Sequence, residues 1–270
     1  MVSEHPVHIP ELPSEEGIDR LVGLLEPLAR VTQPKIYGIE HIPDGGVLFV
    51  GNHTILGFMD LPFMMAELWK RRRITARGLG EHAHYAIPVW RDVLGMCGMV
   101  RGTRENVHAL MKAGQNVLVF PGGAREVNKR KGEGYQLMWK ERLGFARLAI
   151  EHGYPIVPFA AVGAEEMFDV VVDDSNPIYA RFTGAVEQLT KWPMLPIVRG
   201  VGPTPLPRPE RLYFWFGEPI DTTGYDDADA RALRDEVKTA VESGIAFLRD
   251  ERERDPNRNL IRRLRRRLDE

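Results

Sequence analysis

The sequence predicts an α/β fold: a layered, mostly parallel central sheet flanked by helices, in one domain with helical N- and C-terminal extensions. Two observations carry this expectation. Continuous β-branched and aromatic runs, "VLFVGNH" from Val47 and "YPIVPFAAVGAEE" from Tyr154, suit strands buried on both faces. Segments of helical period separate such runs along the chain, as the crossovers of a parallel sheet require.

Taken in order, Ser14–Val31 reads as a helix, with a Ser14 cap, acids close behind it, and Leu21, Leu24, Leu25 and Leu28 on one face. Pro34 stops it. Lys35–Ile39 is extended, "PDGG" turns, and the strand from Val47 leaves His53 just past its end. Asp60–Lys70 reads as a helix, Ile74–Leu79 as a short strand, His82–Leu94 as a helix, and Met96–Val100 as an apolar segment leading to Arg101. Thr103 caps a helix that runs to Lys112, with Glu105 favourably placed in its first turn. "GQNVLVFPGGARE" is again a buried strand ending in a glycine-rich, charged turn. Arg142–His152 is helical, "RLYFWFGEPID" alternates as a strand, and Asp226–Arg252 forms a long charged helix.

Composition narrows the function. At 270 residues one large core is within reach. A formal net charge of −2 argues against nucleic acid as a partner. The single cysteine, Cys97, excludes an intrachain disulfide and a cysteine-rich zinc site, and fits a reducing compartment. The first residues lack the basic and apolar regions of a secretion signal, and no apolar run reaches the roughly 18 to 20 residues of a spanning helix. The expected location is cytoplasmic. From Arg258 to Leu268, "RNLIRRLRRRL" reads either as a solvated terminal helix or as a helix lying on an anionic membrane surface.

Three groups at strand ends are candidates for chemistry. His53 with Asp60 suits a base whose tautomer is held by a carboxylate. Arg101 and Arg125 present planar donor forks for phosphate oxygens, or ion-pair with Glu105 and Glu126. Gly122 and Gly123 let backbone N–H groups approach an anion, or form an ordinary turn. None of the four serines lies in a Gly-x-Ser-x-Gly elbow, and Cys97 sits in an apolar run. No metal site is expected, since His82 and His84 lack a partner set.

These blocks, in this order, resemble the glycerolipid acyltransferase superfamily. Its Asn-His followed by four residues and Asp is matched by Asn52, His53 and, two residues late, Asp60. Its glycine-to-basic block resembles "GMCGMVRG" ending at Arg101, and its Phe-Pro-Glu-Gly-Thr-Arg turn resembles "FPGGAR", Phe120–Arg125. Gly122 stands where the family has glutamate and Ala124 where it has threonine, so roles of those side chains lose their carriers. "FPGGARE" is similar to the diacylglycerol-acyltransferase-like and phytyl-ester-synthase-like branch.

The resemblance implies an acyltransferase domain over 36–222, preceded by an amphipathic helical segment over 1–35 and followed by a C-terminal helical extension with a basic tail over 223–270. It implies that His53 deprotonates an acceptor hydroxyl, which attacks the thioester of acyl-CoA or an acyl-carrier protein, while Asp60 supports the imidazolium. No cofactor is required. The acceptor is a glycerolipid, first a lysophospholipid or acylglycerol phosphate, alternatively a neutral alcohol such as diacylglycerol; a non-catalytic lipid-binding relative is the third reading. The expected partners are acyl-CoA, a lipid acceptor and a membrane surface, the last met peripherally. The apolar run Ile55–Met65 packs a core, and "KWPMLPIV" with Trp192 and Met194 touches the membrane or covers an acyl tunnel.

Overall fold

A computed structural model describes residues 7–81, 85, 88–190 and 194–263. His82, His84, Trp192 and the last seven residues, with the expectations placed on them, lie outside the described residues.

Ser14 caps helix α1 (Glu15–Thr32) through its hydroxyl, as its sequence predicts. The chain then forms β1 (Lys35–Tyr37), β2 (Leu48–Gly51), α2 (Leu61–Arg72), β3 (Arg77–Gly80), α3 (Pro88–Met96), β4 (Val100–Arg101) and α4 (Arg104–Lys112). Thr103 caps α4 by accepting from the Asn106 amide at 3.2 Å. Next come β5 (Val117–Val119), a single turn α5 (Ala124–Val127), α6 (Gly144–His152) and β6 (Ile156–Val162). An excursion follows: β7 (Asp169–Val172), α7 (Pro177–Thr190) and β8 (Ile197–Arg199). Strand β9 (Tyr213–Phe216) and the long helix α8 (Ala230–Arg254) complete the fold.

Seven strands form one sheet in the order β1-β9-β6-β2-β5-β3-β4, and only the β6–β9 pairing is antiparallel. β7 and β8 pair with each other outside it. The fully buried strands β2 and β6 lie side by side at the centre, where apolar runs without alternation belong. β2 and β5 are neighbours with Leu48 opposite Val117, so the turns that follow them meet. Apolar side chains pack on both faces.

The segment expected as a C-terminal extension is part of this core: Leu233, Val237, Val241 and Leu248 of α8 are buried against β6 and its neighbours. The helical face of α1 is less sheltered than its leucine pattern suggests. Leu25 and Ala29 pack inward, whereas Leu21, Leu24 and Leu28 are exposed. The described start of the basic tail is tied down, because Arg263 donates to the Val31 carbonyl at the end of α1.

Candidate active site

His53 leaves β2 at the carboxyl edge of the sheet, the edge at which open α/β sheets bind ligands. Asn52, before it, is buried and prolongs the pairing of β2 with β6: its amide donates to the Ala161 carbonyl at 3.0 Å and accepts from the Ala161 N–H at 2.8 Å. The His53 ring then stacks on Phe120, which follows β5, with centroids 3.9 Å apart and planes 15° from parallel.

The turn after β5 grips the His53 backbone. The Glu126 carboxylate accepts from the His53 N–H at 2.7 Å, and the Lys129 ammonium donates to the His53 carbonyl at 2.8 Å. Both side chains are buried. Lys129 is balanced by Glu165, 2.5 Å away. Burial pushes the carboxyls of Glu126 and Glu165 above their ordinary range, while the N–H donors and Lys129 pull them back.

The six residues between His53 and Asp60 fold back on themselves. The Gly57 N–H donates to the Thr54 carbonyl at 3.1 Å, and Leu56 and Gly57 both adopt left-handed backbone conformations, with φ of 62° and 72°. Leu56 is tied to α5 by a bond from its N–H to the Val127 carbonyl. The interval thus contains a hydrogen-bonded turn fastened to α5.

Asp60 precedes α2 but its side chain does not cap that helix. The carboxyl is buried, and loss of hydration pushes it up to about 6. The nearby Thr54 hydroxyl, which lacks a hydrogen bond of ordinary geometry, and local backbone N–H groups oppose the shift, while the Glu165 charge adds to it.

The remaining predicted residues divide. Arg101 ends β4, opposite Gly80 and three strands from β2, or about 14 Å of sheet. Its positive charge lowers the pKa of the neighbouring Tyr85 hydroxyl, against a burial that pushes it up to about 12. Arg125 points to a different partner from those the sequence suggests: its guanidinium grips both Glu133 oxygens at 2.5 and 2.6 Å and donates to the Asn128 carbonyl. Gly123 has φ +53°, and its N–H donates to the Phe120 carbonyl at 3.0 Å, which commits it to the turn. Gly122 leaves room for the Glu126 carboxylate, which lies where a side chain at position 122 would project.

Sequence reasoning missed Glu126, Lys129, Glu165 and Arg142. Arg142 donates to the Pro121 carbonyl at 2.7 Å and lies over Gly123, so it is the exposed cation at this turn. Among the described residues, His108, Glu151 and His152 have potential metal-ligand atoms within 4.8 Å of one another. They lie on α4 and the end of α6 that feeds the start of β6, the sheet edge opposite His53, and Arg104 already bonds to His108 and Glu151.

The structure has two notable cavities, of which the first adjoins the site. One of about 600 Å³ runs past Ile55, Lys129 and Glu165 to Phe168, with Arg130 and Arg199 on its wall. The other, of about 330 Å³, lies between α4 and α6 and is lined by Leu48, Leu79, Val107, Val119, Phe145 and Leu148, with Arg104 and Arg147 beside them. Among the described residues no helix is long and apolar enough to cross a membrane.

Comparison with known proteins agrees with the block pattern. An acyltransferase family model matches residues 33–162. Phytyl ester synthase 2, chloroplastic, of Arabidopsis thaliana is 34% identical over 256 residues, covering 85% of this chain and 36% of that protein. The DGAT1/2-independent enzyme synthesizing storage lipids of Mus musculus is 26% identical over 221 residues, covering 78% of this chain and 59% of that protein. The chain thus spans only about a third of the length of the plant relative. The crystal structure of the 1-acyl-sn-glycerophosphate acyltransferase PlsC from Thermotoga maritima shares the fold, with a TM-score of 0.54, 19% identity, and coverage of 87% of this chain and 78% of that one. His53 and the "FPGGAR" turn meet at one sheet edge and the family model spans both, so residues 33–162 form an acyltransferase domain.

Proposed function

We propose that the protein transfers a fatty acyl group from a thioester, acyl-CoA in the first instance, to the hydroxyl of a neutral lipid alcohol. The observation that carries the reaction is the seating of His53 at the carboxyl edge of the sheet, against the turn after β5. His53 takes the proton of the acceptor hydroxyl as its oxygen bonds to the thioester carbon. The C–S bond then breaks, the imidazolium returns the proton to the departing thiolate, and an ester and a free thiol result. Asp60 supports the imidazolium in its charged form.

The acceptor is assigned from the relatives. The Arg125 fork, expected for a phosphate, is bonded to Glu133, while Arg142 is an exposed cation at the same turn. The relatives named above as phytyl ester synthase and storage-lipid synthase fit a neutral alcohol. Arg101, some three strands from His53, suits the phosphates of CoA. The apolar cavity between α4 and α6 suits the acyl chain, since its wall at Val119 precedes the Phe120 ring on which His53 lies. The exposed leucines of α1 suit a peripheral contact with the lipid surface that holds the acceptor.

The test is a panel of acceptors offered with acyl-CoA or acyl-carrier protein, with free thiol and product mass followed together. Ester formation on diacylglycerol or a long-chain alcohol, lost at least 100-fold in His53→Ala, is the expected result. Acylation of lysophosphatidic acid alone overturns the neutral acceptor. Thiol release without ester marks a thioesterase, and no turnover with any pair marks a lipid-binding relative.

A further inference from the structure

His53 is held by its peptide groups on both sides, and by buried charges of opposite sign. Glu126, with 0% of its surface exposed, takes the N–H, and Lys129, with 1% exposed, supplies a proton to the C=O. The second Glu126 oxygen accepts from the Met138 N–H at 2.8 Å, so both oxygens of one carboxylate receive backbone donors. Lys129 in turn rests on Glu165. Isolated charges are costly to bury, and each of these three groups faces partners.

The arrangement depends on Gly122. A β-carbon built there would fall 2.0 Å from Cδ of Glu126 and 2.2 Å from its Oε1. A side chain at position 122 and the present Glu126 carboxylate therefore exclude each other. The Glu126 carboxylate of this chain occupies the space into which a side chain would project at the position where the related "FPEGTR" pattern carries glutamate.

We propose that Glu126 and Lys129 are positioning residues that set the orientation of His53, and that the Glu126 carboxylate stands in for the side chain that Gly122 lacks. The proposal rests on the reading of His53 as the base. It has a physical reason. His53 lies beyond the last ladder bond of β2, and the chain next enters a turn with two left-handed residues, so neither strand nor helix fixes its backbone. Fixing its N–H and C=O fixes the direction of Cα–Cβ, and with it the line from imidazole to acceptor. A displacement of about 1 Å at such a group is enough to lower the rate by about 100-fold.

Glu126→Gln tests the clamp at constant volume. An amide offers one acceptor oxygen, so either His53 or Met138 presents its N–H to an NH₂ group. The expected result is a folded protein whose kcat falls at least 10-fold while KM for acyl-CoA changes less than 2-fold. Lys129→Met, which keeps the stem and removes the donor, is expected to behave alike. The stand-in is tested by Glu126→Ala with and without Gly122→Asp. Position 122 has no left-handed backbone to forbid a side chain, and an Asp there returns a carboxylate to the vacated space. Recovery of at least 5-fold of the kcat lost in Glu126→Ala is expected, and no recovery overturns the stand-in. Wild-type kcat in folded Glu126→Gln and Lys129→Met overturns the clamp. His53→Ala is assayed beside them: if it is inactive while the clamp variants are fully active, the clamp alone fails, and if it retains full turnover, the base assignment and the clamp fall together.

Discussion

The imidazole of His53 lies nearly flat on the ring of Phe120, 15° from parallel at a centroid separation of 3.9 Å. Phe120 is in turn braced edge-on by Phe159 of β6, so a central strand backs the stack. The face of a phenyl ring carries negative charge density and favours a cation above it, by about 0.5–1 kcal/mol where water has access and more where it does not. In the proposed reaction that preference would act on the imidazolium and not on the neutral base. Phe120→Leu is expected to lower kcat by about 3- to 10-fold with KM for acyl-CoA little changed; an unaltered kcat in the folded variant excludes an electrostatic role for the ring.

Gly57 lies against the imidazole. A β-carbon there would lie 2.8 Å from Cε1 and 3.2 Å from Nε2 of His53, and its φ of +72° disfavours any side chain. Gly57→Ala is expected to cost about 1 kcal/mol through the backbone and to move the ring as well. The two effects separate on measurement: urea unfolding reads the first, and a kcat reduced at least 10-fold at a temperature where the variant is fully folded reads the second. Full activity in the folded variant would mean that the ring tolerates displacement.

Much of this site is readable from local chemistry. Asn52 and His53 follow a buried apolar run, and such a run in an α/β chain ends at the sheet edge where ligands bind. Thr103 and Ser14 sit where helix caps are needed, and both act as caps. The clamp on His53 is not readable in this way, because the Glu126–His53 bond joins residues 73 apart and depends on the space left by Gly122. Arg125 shows the same limit: its nearest acid in sequence is Glu126, yet Glu126 turns inward and Glu133, at the far end of a loop, takes the guanidinium. The β7–α7–β8 excursion escapes the alternation of the main sheet, although Asn176 and Pro177 mark the start of α7, where the Asn176 oxygen accepts from the Ile178 and Tyr179 amides.

Helix α1 exposes three leucines, the proposed contact with a lipid surface. Leu24 is 75% exposed and Leu28 57%, and with Leu21 they share one face by helical spacing, while Asp19 and Glu26 anchor the helix to Trp69, Arg73 and Lys70. Replacing Leu24 and Leu28 by glutamate leaves those anchors intact. Sedimentation with vesicles containing diacylglycerol is expected to fall by about 10-fold, with turnover of a water-soluble alcohol acceptor unchanged. Equal vesicle binding by the double variant places the membrane contact elsewhere.

The apolar cavity between α4 and α6 sets a length if it holds the acyl chain. Leu148 lies on its wall, and an indole there narrows a space of about 330 Å³. Leu148→Trp is expected to shift preference from 16-carbon to shorter acyl-CoA by at least 10-fold in kcat/KM, with destabilisation of about 1–3 kcal/mol. Uniform loss across chain lengths would remove the cavity from the donor site.

Asp60 adds a pH dependence of its own to that of the raised Glu126 and Glu165. Burial raises its carboxyl from 3.8 to about 6, so the native state binds this proton more tightly than the unfolded chain. Stability therefore falls as pH rises from about 4 to about 6 and stays lower above that window. A shift of about 2 units corresponds to about 3 kcal/mol. Asp60→Asn removes the titration, so relative to wild type it is expected to gain up to about 3 kcal/mol between pH 4 and pH 8, read as the difference in urea midpoints at the two values. A buried charge retained at that cost fits a use in catalysis, and the same variant is expected to lose at least 10-fold in kcat at pH 8, where the wild-type carboxylate is ionised beside the site. A stability difference that does not vary with pH would place the Asp60 pKa near its ordinary value, and full activity in Asp60→Asn would show that His53 works without its charge.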